Sequence, residues 1–225
     1  MPRVSEEYYE KKRQEIIDAA YRVCTNKPIT AVTMKDIIAE TGFSHGVVYR
    51  YYKELDEIIT DLLIRLNIEN KMEERVMKVF EGAQTSDWEN VIRRVFETLA
   101  MDLEDTDDGI IKIALYCDVM TITEVERSKR IAERIQKENP SPLAGPIAAM
   151  TEFLMRAIEA ESLHPVISIE DAIRFIVVYY QGVQNAYLFT KDSDTPEERK
   201  NYSPTVLFSY MADSLILLMK GGKDG

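Results

Sequence analysis

The stretch Gly42-Phe43-Ser44-His45-Gly46 has the G-x-S-x-G spacing of a serine nucleophile elbow. In that chemistry a strand enters a sharp turn, the turn exposes the serine hydroxyl, and an acid and a histidine further along complete a triad. What precedes Ser44 is a helical pattern, and His164 is the one histidine downstream. A serine hydrolase using Ser44 is therefore a remote alternative, and the chain reads as no enzyme. The acidic run from Asp102 to Gly109 invites a calcium loop. Setting Gly109 at the sixth loop position puts Thr106 at the third and Leu115 at the twelfth, where a bidentate glutamate is needed. The run is expected to be a solvated interhelical loop. Cys24 and Cys117 lie far apart, as do the two histidines, so no disulfide framework, zinc site or cofactor is expected.

The same glycine-rich stretch serves a different chemistry if it joins two helices. Met34, Ile37, Ile38 and Thr41 share a helical face, Thr33 and Asp36 have capping-box spacing, Gly42 supplies a left-handed residue, and Ser44 caps the next helix. Two short helices joined by a tight glycine turn form a helix-turn-helix, whose second helix lies in the DNA major groove. Ser44, His45, Gly46 and Val47 occupy the first turn of that helix, the part that reaches base edges. His45 can donate to a guanine, Val47 can pack on a thymine methyl, and Gly46 leaves room for close backbone approach. Thr33, at a helix N-terminus, offers donors to a phosphate, and Arg50 and Lys53 place charge at the same edge. Ile37, Val48 and Tyr52 are assigned to packing. Ile16, Ile17, Ala20, Val23 and Cys24 form the apolar floor beneath the pair.

The elements that must position these residues are helical. Apolar residues recur at steps of three and four with no persuasive strand alternation, so the expected fold class is all-α. The stripe Leu55, Ile58, Ile59, Leu62, Leu63 and Leu66 predicts a helix running to about Phe80. Helix starts are expected at Thr33/Asp36, Ser86/Glu89, Thr123/Glu126 and Ser168/Asp171, and stops at Gly82, Asn139–Pro142, His164-Pro165 and within 192–204. This punctuation predicts about nine or ten helices. Short elements up to Tyr52 and longer ones beyond divide the chain into a helix-turn-helix domain, residues 1–52, and a larger helical domain, residues 53–225. No stretch approaches the ~20 apolar residues of a membrane span, and Met1 to Lys12 has no apolar export core. A cytoplasmic protein with no membrane partner is expected.

Charge sharpens the division. The 225 residues include 39 acidic and 28 basic side chains, a net of −11, which argues against a protein that coats nucleic acid. Residues 1–52 hold 8 basic and 7 acidic residues, a net of +1, and the remainder 20 and 32, a net of −12. A reader this close to neutral gains little from counterion release and depends on placement.

From Arg13-x-x-Ile16-Ile17-Asp18-Ala19-Ala20, through Val32-Thr33-Met34-x-Asp36-Ile37-Ile38-Ala39, to Gly42-Phe43-Ser44-x-Gly46-Val47-Val48-Tyr49-x-Tyr51-Tyr52-Lys53, the chain resembles the TetR-type transcriptional regulators. Lys27-Pro28, Thr41 and Leu55 depart from the family pattern, Leu55 standing where a phosphate-binding lysine is frequent. The resemblance implies that Tyr49 and Tyr51 touch phosphates or bases through their hydroxyls. It also implies a homodimer on a double-stranded DNA operator, released by a small-molecule effector. A helical ligand-binding or protein-interaction module with a degenerate helix-turn-helix is the alternative, motivated by the weak basicity and by Leu55.

Two reading heads must be held about 34 Å apart to enter successive major grooves. The two most apolar late helices, near 169–190 and 203–220, are expected to make the dimer. Phe175, Val178, Tyr179, Gly182, Val183, Ala186 and Tyr187 form a face on the first, and Leu207, Tyr210, Met211, Ser214, Leu215 and Leu218 a face on the second. Trp88, Phe96, Tyr116, Cys117, Met120, Met150, Phe153, Met155 and Gln184 are the candidate lining of an effector pocket. The helix beginning near Leu55 is expected to couple pocket to reader.

Overall fold

The computed structural model describes residues 6–138, 141 and 143–221. Its regular elements are all helical: α1 (Glu6–Asn26), α2 (Met34–Thr41), α3 (His45–Tyr51), α4 (Leu55–Glu69), α5 (Met72–Phe80), α6 (Trp88–Asp105), α7 (Asp108–Thr123), α8 (Val125–Glu138), α9 (Ala144–Glu159), α10 (Ile169–Thr190), α11 (Pro196–Asn201) and α12 (Pro204–Lys220). Single 3-10 turns at Ile29–Ala31 and Thr85–Asp87 precede α2 and α6.

The chain forms two compact units that do not coincide with the division at Tyr52. One comprises Met1–Glu69 with Asp107–Ser141, the other Asn70–Thr106 with Pro142–Gly225. The first therefore takes up α4, α7 and α8 beside the helix-turn-helix. Its core joins Ile16, Ala20 and Cys24 of α1, Ile37 of α2, Val48 of α3, and Ile58, Ile59 and Leu62 of α4, all shut off from solvent, to Ile113 and Met120 of α7 and Ile131 of α8. Tyr21 donates to the Asp107 carboxylate at the start of α7, and Arg127 of α8 holds Asp56 in the first turn of α4 at 2.7 Å. Burial of one apolar stripe per helix, not propensity, holds such short elements in place.

In the second unit, Phe96, Phe153, Phe208, Met211 and Leu215 are fully buried, with Phe96 stacked on Phe208 at 6.1 Å between ring centroids. Lys220 reaches Glu89 at 3.0 Å, and Arg93 reaches Asp213 at 2.7 Å. The connector before α10 is tied to the end of α12, where His164 and Val166 donate their backbone N–H groups to Met219 and Leu218.

Several expectations need correction. The helix from Leu55 breaks at Asn70, whose side-chain oxygen accepts from the Met72 N–H and starts α5 afresh. Ser86 caps nothing, because Thr85–Asp87 is a 3-10 turn and Asp87 stands at the head of α6. Thr123 turns its hydroxyl back to the Val119 carbonyl. Of the acidic run, Asp102 to Asp105 belong to α6, and Asp102 is 93% buried rather than solvated, paired with Arg75 at 3.1 Å. The described helices number twelve rather than nine or ten, because turns of one or two residues carry little punctuation. The caps at Thr33 and Ser168 form as expected, and φ is +69° at Gly82. The stop at Asn139–Pro142 falls, apart from Ser141, outside the described residues.

Candidate nucleic-acid interface

The helix-turn-helix is set by two local devices. The Thr33 hydroxyl accepts from the Asp36 N–H while the Asp36 carboxylate accepts from the Thr33 N–H, a reciprocal cap that satisfies two orphan donors. Lys27 also donates to Asp36, at 2.7 Å, and with the Thr33 hydrogen bonds holds this carboxyl down at about 2. Gly42 then ends α2 with φ +67°, in the left-handed region. Thr41, one of the departures from the family pattern, donates its hydroxyl to the Ile38 carbonyl and accepts from the Phe43 N–H, bracing the corner.

α3 has seven residues, too few to be stable alone. Val48 is fully buried and Tyr52, its C-terminal neighbour, is 2% exposed. The Tyr52 hydroxyl donates to Asp61 of α4 at 2.8 Å, Arg13 of α1 donates to that hydroxyl at 3.3 Å, and Arg13 also donates to Asp61. Burial, together with the Asp61 charge, pushes the Tyr52 phenol up, so it stays neutral and keeps its proton for Asp61. Tyr51 packs at a tilt of 40° against Tyr9 of α1, with ring centroids 4.6 Å apart. Lys12 lies over the Phe43 ring at 4.4 Å, a cation–π contact that pins the turn. The reading helix is thus clamped to α1 and α4 along one side.

Its opposite side is open. Ser44, His45, Gly46, Tyr49 and Arg50 are exposed and Val47 half-buried. Ser44 stands at the N-cap but makes no side-chain cap bond, contrary to the expectation, so its hydroxyl faces outward uncommitted. An alanine methyl at Gly46 would meet nothing within 4 Å. Arg50 has no acidic partner among the described residues. Lys53, in contrast, donates its ammonium to the Tyr49 carbonyl at 2.6 Å and closes the C-terminal end of α3. Leu55 packs against the core of this unit. The hydrolase alternative loses its scaffold, since α2 precedes Ser44 and no strand occurs among the described residues. Sequence reasoning missed Asp61 and Lys12, which act from other helices; the one signal was a basic residue in the quoted motif, Arg13, that needs a counter-charge.

The candidate effector residues fall in both units. Tyr116, Cys117 and Met120 belong to the α7 face of the first unit, whereas Trp88, Phe96, Phe153 and Gln184 belong to the second. Within the second unit, a slot of about 50 Å³ is lined by Met72, Val76, Val95, Leu99, Met150 and Ile176 with their apolar neighbours, and Tyr180 supplies its one hydroxyl. Burial, then the Asp102 charge, pushes the Tyr180 phenol up to about 12. Gln184 takes part only by donating to Tyr180 at 3.4 Å. The residues expected on the dimer faces divide between core and surface. Val183, Met211 and Leu215 are buried, and Tyr179 donates to the Leu207 carbonyl within the unit. Phe175, Val178, Gly182 and Phe189 form the outer stripe of α10, and Tyr210 and Leu217 that of α12; Tyr187, Leu207 and Leu218 are half-buried.

Residues 16–61 match the profile of bacterial regulatory proteins of the tetR family. This segment is a tetR-family one. Beyond it, the chain is 26% identical over 211 residues to an uncharacterized HTH-type transcriptional regulator, YfiR of Bacillus subtilis, covering 92% of this chain and 97% of that one. In fold it is similar to the fatty acid degradation regulator FadR from Bacillus halodurans, at a TM-score of 0.60 and 19% identity over 91% of this chain and 94% of that one. The transcriptional regulator FadR from Bacillus subtilis, solved in complex with stearoyl-CoA, superposes at 0.55 and 16% identity over 90% and 97%. The tetR-family match ends at Asp61, the acid that clamps the reading helix.

Removing only the Tyr52 hydroxyl tests the clamp. Tyr52→Phe is expected to cost about 1 kcal/mol in urea unfolding, the usual net value of one such hydrogen bond; an unchanged midpoint would show that Arg13 and Asp61 hold α3 without it.

Proposed function

We propose that the chain is a homodimeric, ligand-responsive transcriptional regulator, acting as a repressor in the cytoplasm, that binds a pseudopalindromic DNA operator through α3 and is no enzyme. The observation that carries this reading is Gly46. A glycine inside a seven-residue helix is costly, by roughly 1 kcal/mol relative to alanine, yet no neighbour in the protein needs the space. A missing side chain on the open face of a clamped helix suits a surface that another molecule approaches to backbone distance. Around it, Ser44, His45 and Val47 supply base-edge chemistry, and Thr33, Tyr49, Arg50, Tyr51 and Lys53 border it with phosphate donors.

The outer stripes of α10 and α12 support the dimer. Val178 is 62% exposed and Leu217 71%, apolar surface that a second copy of this chain would cover. The slot beside Tyr180 supports a mostly apolar effector with a single polar contact. The B. subtilis FadR, whose structure holds stearoyl-CoA, is consistent with a ligand of that character.

Gly46→Ala separates the DNA reading from a degenerate module. It is expected to raise the melting temperature slightly and to weaken binding to the duplex upstream of its own gene at least tenfold in a mobility shift; unchanged binding would contradict approach at Gly46. For the slot, a thermal-shift series of straight-chain alcohols is expected to stabilise the protein increasingly with chain length. No shift at any length would sink the apolar-effector reading.

A further inference from the structure

We propose that α8 is a second contact with the DNA backbone, in which Arg134 and Lys137 take duplex phosphates beside the C-terminal end of the reading helix. The inference rests on the DNA-binding reading above and places part of the interface outside the tetR-family segment.

α8 carries five basic residues against three acidic ones. It is fastened to the first unit by Ile131, buried in the same core as Val48 and Tyr52, and by the half-buried Ile135. Three of its cations are committed: Arg127 to Asp56 and Glu124, each at 2.7 Å, Lys129 to Glu126 at 3.2 Å, and Arg130 to Asp56 at 3.9 Å. Arg134 and Lys137 are exposed and have no acidic partner within ion-pair distance among the described residues. Arg134 lines two crevices. One, of about 340 Å³, includes Tyr9, Tyr51 and Tyr52; the other, of about 270 Å³, includes Glu54, Asp56 and Lys137. Tyr51 ends the reading helix and Glu54 follows Lys53, so this guanidinium stands at the edge where phosphates run.

Four of the eight cations in residues 1–52 are already ion-paired. Lys12, Arg13, Arg22 and Lys27 are ion-paired to Glu15, Asp61, Glu40 and Asp36, Lys11 and Lys35 on α1 and α2 are exposed, and position 55 is an apolar packing residue. On the reading helix itself that leaves Arg50. Two further cations projecting from α8 raise the number of side chains that can release counterions, on a duplex that presents a phosphate every ~1.7 Å of its axis. Glu57, Asp61 and Glu138 share the first crevice and Glu54, Asp56 and Glu133 the second, which makes both poor seats for a free anion. A polyanion that only the outreaching guanidinium and ammonium need touch fits better.

Salt dependence is the test, because phosphate contacts set its slope. The full chain would be titrated by fluorescence anisotropy over a range of KCl with two probes, the duplex upstream of its own gene and a random-sequence duplex. Combining Arg134→Gln with Lys137→Gln is expected to lower the log–log slope by about 2 per protomer, near one for each phosphate no longer neutralised, and to weaken both duplexes alike. Lys129→Gln, which removes a cation already paired, is expected to leave the slope unchanged, and thermal melting of the double variant should match the wild type. A double variant that keeps the wild-type slope overturns the α8 contact and leaves the reading helix standing. A wild type that binds neither probe overturns both readings.

Discussion

Everything in the reading head depends on the burial of Val48 and Tyr52. A seven-residue helix incurs the nucleation cost of a helix without enough turns to recover it, so α3 holds its place only because one side is sunk into a floor made by α1 and α4. Fully burying two such side chains contributes roughly 3–6 kcal/mol, far more than the single hydrogen bonds around them. The hydrogen bonds do something else. The shared carboxylate of Asp61, accepting from both Tyr52 and Arg13, fixes rotation about the helix axis, which apolar packing alone leaves loose. With rotation fixed, Ser44, His45, Gly46 and Tyr49 stay exposed to solvent.

The same clamping governs charge. Of the eight cations in residues 1–52, Arg13, Arg22 and Lys27 are engaged in ion pairs to α2 and α4, which reduces what is free to meet a polyanion. Exposed pairs of this kind contribute little stability each, but each commits a lysine or arginine that a reader would otherwise present. Leu55 belongs to this pattern: it exchanges a surface cation for packing against the core of the unit, and α8 carries the positive charge on that side.

Much of this was legible in the residues. The capping box at Thr33, the left-handed Gly42, the floor from Ile16 to Cys24 and the open first turn at Ser44 to Gly46 each follow from a local rule with one outcome. What was not legible depended on distance or on phase. Asp61 lies nine residues beyond Tyr52, and only the three-dimensional fold brings its carboxylate to that hydroxyl. The outer faces of α10 and α12 were legible only in part: Phe175, Val178, Gly182 and Tyr210 are exposed, but Val183, Met211 and Leu215 turn inward, because both helices are apolar over most of their circumference and a 3.6-residue period then fixes no single face. The slot beside Tyr180 was legible only at Met150, because large aromatic and methionine residues fill cores as readily as they line cavities, and the slot is lined chiefly by Val, Leu, Ile and Met. The break at Asn70 escaped because the apolar stripe continues across it.

The central claim is that two clamped reading helices present Gly46 and its neighbours to successive major grooves of one duplex. Hydroxyl-radical footprinting on the DNA upstream of its own gene tests it most directly. Two protected stretches related by two-fold symmetry, with centres about one helical turn or a whole multiple of it apart, are the predicted result. Protection no different from that of a random duplex, or a single unpaired stretch, would contradict the account.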